Sequence, residues 1–249
     1  MAAEVRIGTS GWHYKHWAGP FYPDRCSPAA MFRHYVGLFD TVEINNSFYR
    51  LPERRTFAAW REATPPDFVF SVKASRFLTH NKKLKDPEPA LARLMEAAEG
   101  LGEKLGPILF QLPPRWKLNL ERLAEFLEAL PPRRRFTFEF REPSWNDEKV
   151  YRLLRRHNAT CCIYELAGFQ SSRVITADWA YVRLHGPGDK YQGSYSRAEL
   201  TSWAKQIMEW SRSLRAVYVY FDNDQAAYAA HNALVLKDML QRRTQALAG

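Results

Sequence analysis

Hydrophobic and polar positions along this chain repeat with two distinct periods. In Arg133–Trp145 (RRRFTFEFREPSW), Phe136, Phe138 and Phe140 alternate with Thr137, Glu139 and Arg141. A strand turns its side chains over at every residue, so the Phe share one face and the polar residues the other. Comparable short apolar runs fall at Val5–Ser10, Thr41–Asn45, Phe68–Ala74, Pro107–Leu112, Thr160–Glu165, Ala180–Gly186 and Ala216–Asp222. Between them lie stretches with helical spacing. One opens on Ser27-Pro28, a capping residue followed by proline at the first helical position. The others are LPERRTFAAWREA, PEPALARLMEAAEGLGEK, NLERLAEFLEAL, NDEKVYRLLRRHN, SRAELTSWAKQIMEWSRSL and AAYAAHNALVLKDMLQRR. The segment LAGFQSSRVITADW carries no helical period, so the helix after the sixth strand is expected to be reduced.

Strands alternating with helices over 249 residues predict an α/β chain. The specific expectation is a single TIM-type (β/α)8 barrel, residues 1–249. A doubly wound open sheet would call for a glycine-rich phosphate loop after the first strand, and GTSGWHYKHWAG is not that fingerprint. In a barrel the outer strand face packs on helices and the inner face lines the lumen. That phase sends Glu43, Asn45, Lys73, Gln111, Glu139, Arg141, Glu165, Arg183, His185 and Asp222 inward, toward the end where barrel enzymes carry their active sites. On this expectation the polar face of the Phe-alternating strand looks into a site. The competing expectation is a purely structural ion network, with pairs such as Lys73 with Glu139 or Arg183 with Glu43. So many buried pairs would be a poor source of stability.

Composition narrows the classes. With 46% hydrophobic and 25% charged residues the chain reads as a folded soluble protein. No apolar run approaches the roughly 20 residues that span a bilayer, and the N-terminus lacks the order of a secretory signal. Cys26, Cys161 and Cys162 show no metal-ligand spacing and read as thiols in a reducing compartment, so a cytoplasmic location is expected. The net charge of +9 raises the prior for DNA, RNA or another polyanion as partner, although the basic residues are dispersed in short groups.

The segments IGTSGWHYKHWAGPFYP, TVEINNSFYRLP, FVFSVKASRFLTH, GPILFQLPP, EFREPSW, YVRLHG and YFDN…HNA resemble, in this order, the domain-of-unknown-function 72 (YecE-like) family, from about Ile7 to Ala233. The resemblance implies a TIM-type barrel and supplies no established reaction. Two positions depart from the family pattern: Glu142 stands where a His is usual (REPSW), and Asp222 where an Asn is usual (YFDN).

Three chemistries compete for the inward residues. The first is metal-assisted phosphoester hydrolysis, with Glu43, Glu139, His185 and Asp222 as bases or ligands. A multi-zinc site needs more His than His185 and His80 supply, so one divalent metal held mainly by carboxylates is the form considered. The second is metal-free acid/base work of the glycoside-hydrolase kind, which needs two carboxylates at a set separation. Lys73, Arg141 and Arg183 would hold carboxylates ionised, against a general-acid role. The third is a non-catalytic nucleic-acid-binding module. Trp12, Tyr14, Trp17 and Tyr49 interleave with basic residues after the first two strands, as in single-strand binders. These rings could equally plug their loops onto the core. Trp145 and Tyr195 are further candidates to close the site, with Asn223 beside Asp222 and GPGDKYQGSY as a flexible cover. No Ser or Cys nucleophile has an evident base. The expectation is therefore an anionic ligand, nucleic acid or a phosphorylated compound, engaged by Lys73, Arg141 and Arg183.

Overall fold

The computed structural model describes the backbone of residues 3–248 and the side chains of residues 3–243. Along the chain run β1 (Glu4–Thr9), α1 (Pro28–Val36), β2 (Thr41–Ile44), α2 (Arg54–Glu62), β3 (Val69–Lys73), α3 (Glu88–Ala98), β4 (Leu105–Gln111), α4 (Leu120–Glu128) and β5 (Phe136–Glu139). They are followed by α5 (Glu148–Arg156), β6 (Thr160–Cys161), β7 (Ile163–Leu166), β8 (Phe169–Gln170), β9 (Trp179–Leu184), α6 (Arg197–Trp210), β10 (Ala216–Phe221) and α7 (Tyr228–Ala248). The α/β class expected from the periodicity is what the chain adopts.

The closed eight-stranded ring is not found among the described residues. The strands hydrogen-bond instead as two five-stranded sheets, ordered β1-β10-β9-β7-β8 and β2-β3-β4-β5-β6. Two breaks make the difference: β1 and β2 belong to different sheets, and the second break lies at Cys162. The expected strand Thr160–Glu165 is interrupted there, and its halves find partners in different sheets: β6 pairs with β5, β7 with β9. The segment without helical period forms no helix. It turns back as β8, antiparallel to β7, through Ala167 and Gly168, both at positive φ.

The chain divides into two compact units. The first comprises Met1–Val42, Ile163–Ser171 and Asp178–Gly249, the second Glu43–Cys162 and Ser172–Ala177. In the first unit β1, β10 and β9 are parallel; β10 is apolar throughout, β9 is apolar but for Arg183, and both are buried along their whole length. Gly8 lets β1 approach the start of β2: a Cβ there would lie 2.4 Å from the Thr41 carbonyl oxygen. In the second unit the Phe of β5 pack outward as their alternation predicts. Phe138 lies 5.3 Å from Phe110 of β4 and edge-on, 6.0 Å, to Phe126 of α4.

Local signals place the helix starts. Ser27 caps α1 before Pro28, Asn119 caps α4 (2.9 Å to the Arg122 amide), and Ser196 with Glu199 forms a reciprocal capping box on α6. The end of α2 is closed from a distance. The buried Lys104 ammonium donates to the carbonyls of Arg61 (2.6 Å) and Thr64 (2.7 Å), placing a cation on the negative end of the helix dipole. Among the described residues no helix is long and apolar enough to cross a membrane.

Candidate functional site

In the first unit a polar set forms because three neighbouring parallel strands end level. The ladder pairs Thr9 with Phe221, and Phe221 with Leu184. The next residues along are therefore Ser10, Asp222 and His185, held by amide bonds from Ser10 to the Phe221 carbonyl (2.8 Å) and from Asp222 to the Leu184 carbonyl (2.7 Å). Arg183 lies two residues before His185, on the same strand face. Its guanidinium Nη2 donates to Asp222 Oδ2 at 2.8 Å and to Ser10 Oγ at 3.2 Å, and its Nη1 lies 2.9 Å from His185 Nε2.

These contacts assign the imidazole. A guanidinium has only donors, so His185 Nε2 must accept. The proton then sits on Nδ1, which donates to the Glu165 carbonyl at 2.9 Å. His185 is accordingly neutral, with Nε2 also 3.5 Å from Asp222 Oδ2. Arg183 and His185 are both 0% exposed, and the Arg183 and Asp222 charges cancel.

A loop, Gly186–Tyr195, continues from this set. The Gly186 amide donates to the Tyr195 hydroxyl (3.1 Å), and Asn223 Nδ2 donates to the Gly193 carbonyl (2.8 Å) and to Asn232 Oδ1 (2.9 Å). Asn232 Oδ1 also accepts from the Tyr195 amide at 3.1 Å. Tyr195 is thus a buried anchor whose phenol burial pushes up. Gly186, at φ 103°, has no alternative: a Cβ would meet the Gln192 carbonyl oxygen at 2.1 Å. Tyr191 sits over the loop's inner end, its ring 5.6 Å from that of His185.

The first-strand aromatics serve the same unit's core. Trp12 packs on Phe32 of α1 at 4.9 Å, and the Tyr14 hydroxyl donates to the Ser10 carbonyl at 2.5 Å. Trp17 is wholly buried, and its indole N–H donates to the Asp224 carbonyl at 2.8 Å. With no exposed ring face, Trp17 is occupied in packing here, and the stacking expected of it has no surface to use. Burial raises the carboxyl of Asp224, and the nearby His16 partly offsets this.

In the second unit the residues form two smaller groups. Glu139, at the end of β5, is fully buried and ion-paired with Arg141; Cys162 Sγ lies 3.9 Å from its other oxygen. Gln111 is its register neighbour on β4. Trp145 is buried, stacked on Phe140 at 4.9 Å, and its N–H donates to the Trp116 carbonyl at 2.6 Å. Like Trp17 it packs.

The other group surrounds Phe48. The Lys73 ammonium lies 4.5 Å over the Phe48 ring, the His80 and Tyr49 rings meet its edges at 5.1 Å each, and Ser47 Oγ ties the turn to the Lys73 carbonyl at 2.6 Å. His80 lies on a single π-helical turn, Phe77–Asn81, a geometry frequent at functional sites. Burial first, and then the charges of Lys73 and Arg76, lower its pKa to about 4. Tyr49 is 78% exposed and Phe77 52% exposed. Arg50 follows Tyr49 in the chain, and Arg76, Lys82, Lys83 and Lys85 lie in or beside the segment of the π-helical turn; all five are exposed, with no carboxylate at ion-pair distance among the described residues. Glu43 is buried in β2, and Asn45 just beyond it has a buried Oδ1 with no hydrogen-bond partner.

Sequence reasoning identified Arg183, His185 and Asp222, and the chain brings them together. It also named Lys73 and His80, which meet through Phe48. Ser10 and Tyr191 join the first of these groups without having been singled out by that reasoning. Ser10 was legible from strand-end position alone, since it follows β1 as Asp222 follows β10. The divalent-metal expectation does not fit: among the described residues no three His, Cys, Asp or Glu side chains assemble as a ligand set. Asp222 and Glu139, the strongest candidates, are each engaged by an arginine.

Comparison with known proteins gives the lineage. The UPF0759 protein YunF of Bacillus subtilis (strain 168) is 23% identical over 98% of this chain and 97% of its own. A crystal structure of a DUF72 family protein from Thermotoga maritima MSB8 superposes with a TM-score of 0.87 at 32% identity, over 96% of this chain and 99% of that one. One from Enterococcus faecalis V583 gives 0.83 at 17% identity, over 95% of each chain. The sequence model of the family described as "Protein of unknown function DUF72" matches residues 6–248, and the chain belongs to that family.

Proposed function

We propose that this protein binds a phosphate-bearing anion, single-stranded nucleic acid in the first instance, on the Phe48-centred surface of its second unit. The observation that carries the proposal is two exposed rings, Tyr49 and Phe77, on segments that also bear five exposed cations with no carboxylate at ion-pair distance among the described residues. Large apolar side chains are otherwise mostly buried here, so two open rings beside unneutralised charge are what base stacking and phosphate contact require. Lys82 already lies 6.0 Å over the Phe77 ring. Burial is the main cause of the lowered His80 pKa, and the charges of Lys73 and Arg76 add to it. Arg50 and Tyr49 extend the surface after β2; Arg76 to Lys85 extend it after β3.

The test is fluorescence anisotropy with a labelled single-stranded oligonucleotide at low and near-physiological salt. Binding should weaken steeply with salt, because neutralised phosphates release counterions. The Tyr49→Ala/Phe77→Ala variant should lose about 1–3 kcal/mol per stacked base while keeping the salt slope. Absence of binding at low salt would overturn the proposal; binding unchanged in the double variant would remove these rings from it.

A further inference from the structure

The buried set in the first unit has a different chemistry from that cationic surface. Ser10, Arg183, His185 and Asp222 come from the ends of neighbouring strands, are nearly or wholly buried, and sum to zero charge. As a stabilising device this is a poor choice, because a buried ion pair barely recovers its desolvation cost. Over it lies a loop held in unusual backbone conformations: Gly186 at φ 103°, Tyr191 at φ 63° and Gly193 at φ 83°. A tyrosine in the left-handed region is an outlier, of the kind that clusters at ligand clamps. The residue is 42% exposed, and its ring meets that of His185 edge-on at 5.6 Å.

We propose that this set is a second ligand site, for an uncharged polyhydroxylated molecule such as a sugar, and that Gly186–Tyr195 is its hinged cover. The ligand class follows from charge and donor count. An anion entering the set would meet Asp222, with the Glu165 carboxylate beyond it at Tyr195, and a cation would meet the guanidinium of Arg183. A pair of adjacent hydroxyls suits both groups, since each hydroxyl donates to a carboxylate and accepts from a guanidinium. His185 Nε2 is an acceptor and Ser10 both donates and accepts, so a ligand takes over contacts that these groups now make with one another. Tyr191 would then lie on the ligand's C–H face.

Asn232 anchors the end of the cover at Ser194 and Tyr195, and two bonds hold Gly193 within it. Asn223 holds the Gly193 carbonyl, and the exposed Gln225 accepts from the Gly193 amide at 3.2 Å. Asn223 Oδ1 is buried with no partner, so the clasp itself is incomplete. Apparent affinity rises with the fraction of molecules whose cover is open. Loosening the clasp should therefore strengthen binding, which a purely structural loop would not do.

The experiment is 15N NMR of the His185 ring with methyl α-glucoside, glucose and inorganic phosphate as separate probes, on the wild type, Gln225→Ala and Asn223→Ala. The expected result is a saturable shift of the His185 resonances with the two neutral probes. Affinity should rise by roughly three- to tenfold in Gln225→Ala, where one hydrogen bond is lost. Gln225 is exposed, so this variant tests the idea even if Asn223→Ala folds poorly. Hydrogen exchange supplies the second arm: the Gly186 and Gly193 amides should exchange by local opening, faster than the β9 amides. No shift with either sugar in any variant, a shift with phosphate alone, or exchange of those amides only on global unfolding would each overturn the proposal. None of these outcomes bears on oligonucleotide binding by the second unit, so the two proposals fail separately.

Discussion

Replacing Asp222 by Asn tests whether the Arg183 network is as strongly coupled as its geometry indicates. The substitution keeps size and one acceptor oxygen but removes the carboxylate charge 2.8 Å from a guanidinium with no solvent exposure. At an effective dielectric near 20, unit charges about 3 Å apart attract by roughly 5–6 kcal/mol. Most of that offsets the desolvation of both ions, so the pair contributes little net stability, while loss of one partner costs about 3–5 kcal/mol. For a chain of this size that corresponds to a fall in Tm of roughly 6–20 °C. Urea unfolding of the wild type, Asp222→Asn, Arg183→Met and the Arg183→Met/Asp222→Asn double variant completes a cycle. The double variant should cost at least about 3 kcal/mol less than the sum of the singles, because neither ion is left stranded. A cost below about 1 kcal/mol for Asp222→Asn, or simple additivity, would refute the reasoning and mean that the two charges do not depend on each other.

Three further outcomes can be checked. Lys104→Met should destabilise the protein by about 2–3 kcal/mol in urea unfolding, since it strips the Thr64 carbonyl of the ammonium 2.7 Å away inside the second unit. For His80, a folded pKa of about 4 against the ordinary 6.5 means the unfolded chain binds the extra proton first, so stability is lost as pH falls from about 6.5 to about 4 and is independent of this group above that window. NMR titration of His80 in Lys73→Met should give a pKa above the wild-type value but still below 6.5, because burial, the larger cause, remains. On the proposed nucleic-acid surface, Lys82→Ala/Lys83→Ala should reduce the salt slope of single-stranded oligonucleotide binding by about 1.4, read by anisotropy, whereas a slope unchanged from wild type would remove these lysines from the interface.

What the sequence determined by itself was everything set by local repeat and local chemistry. The alternation of Phe136, Phe138 and Phe140 fixed which face of β5 packs on α4, because a strand's period is a property of the backbone. Ser27-Pro28 and the Ser196–Glu199 pair marked helix starts, because caps act within one turn. Strand-end position was enough to nominate Arg183, His185 and Asp222, since a parallel ladder without bulges keeps neighbouring ends level. Tertiary structure decided what depends on distant partners. Whether Thr160–Glu165 is one strand or two turned on which strands offered free edges on either side of Cys162, and no local pattern encodes that. Trp17 and Trp145 read as stacking platforms or as core with equal ease, and the choice was made by the carbonyls of Asp224 and Trp116, which meet their indole N–H groups from far along the chain. The tautomer of His185 was likewise set by a donor and a carbonyl from outside its own residue, and the cover over it by Asn223 and Asn232, residues that the sequence separates from Gly193 and Tyr195 by an entire helix and strand.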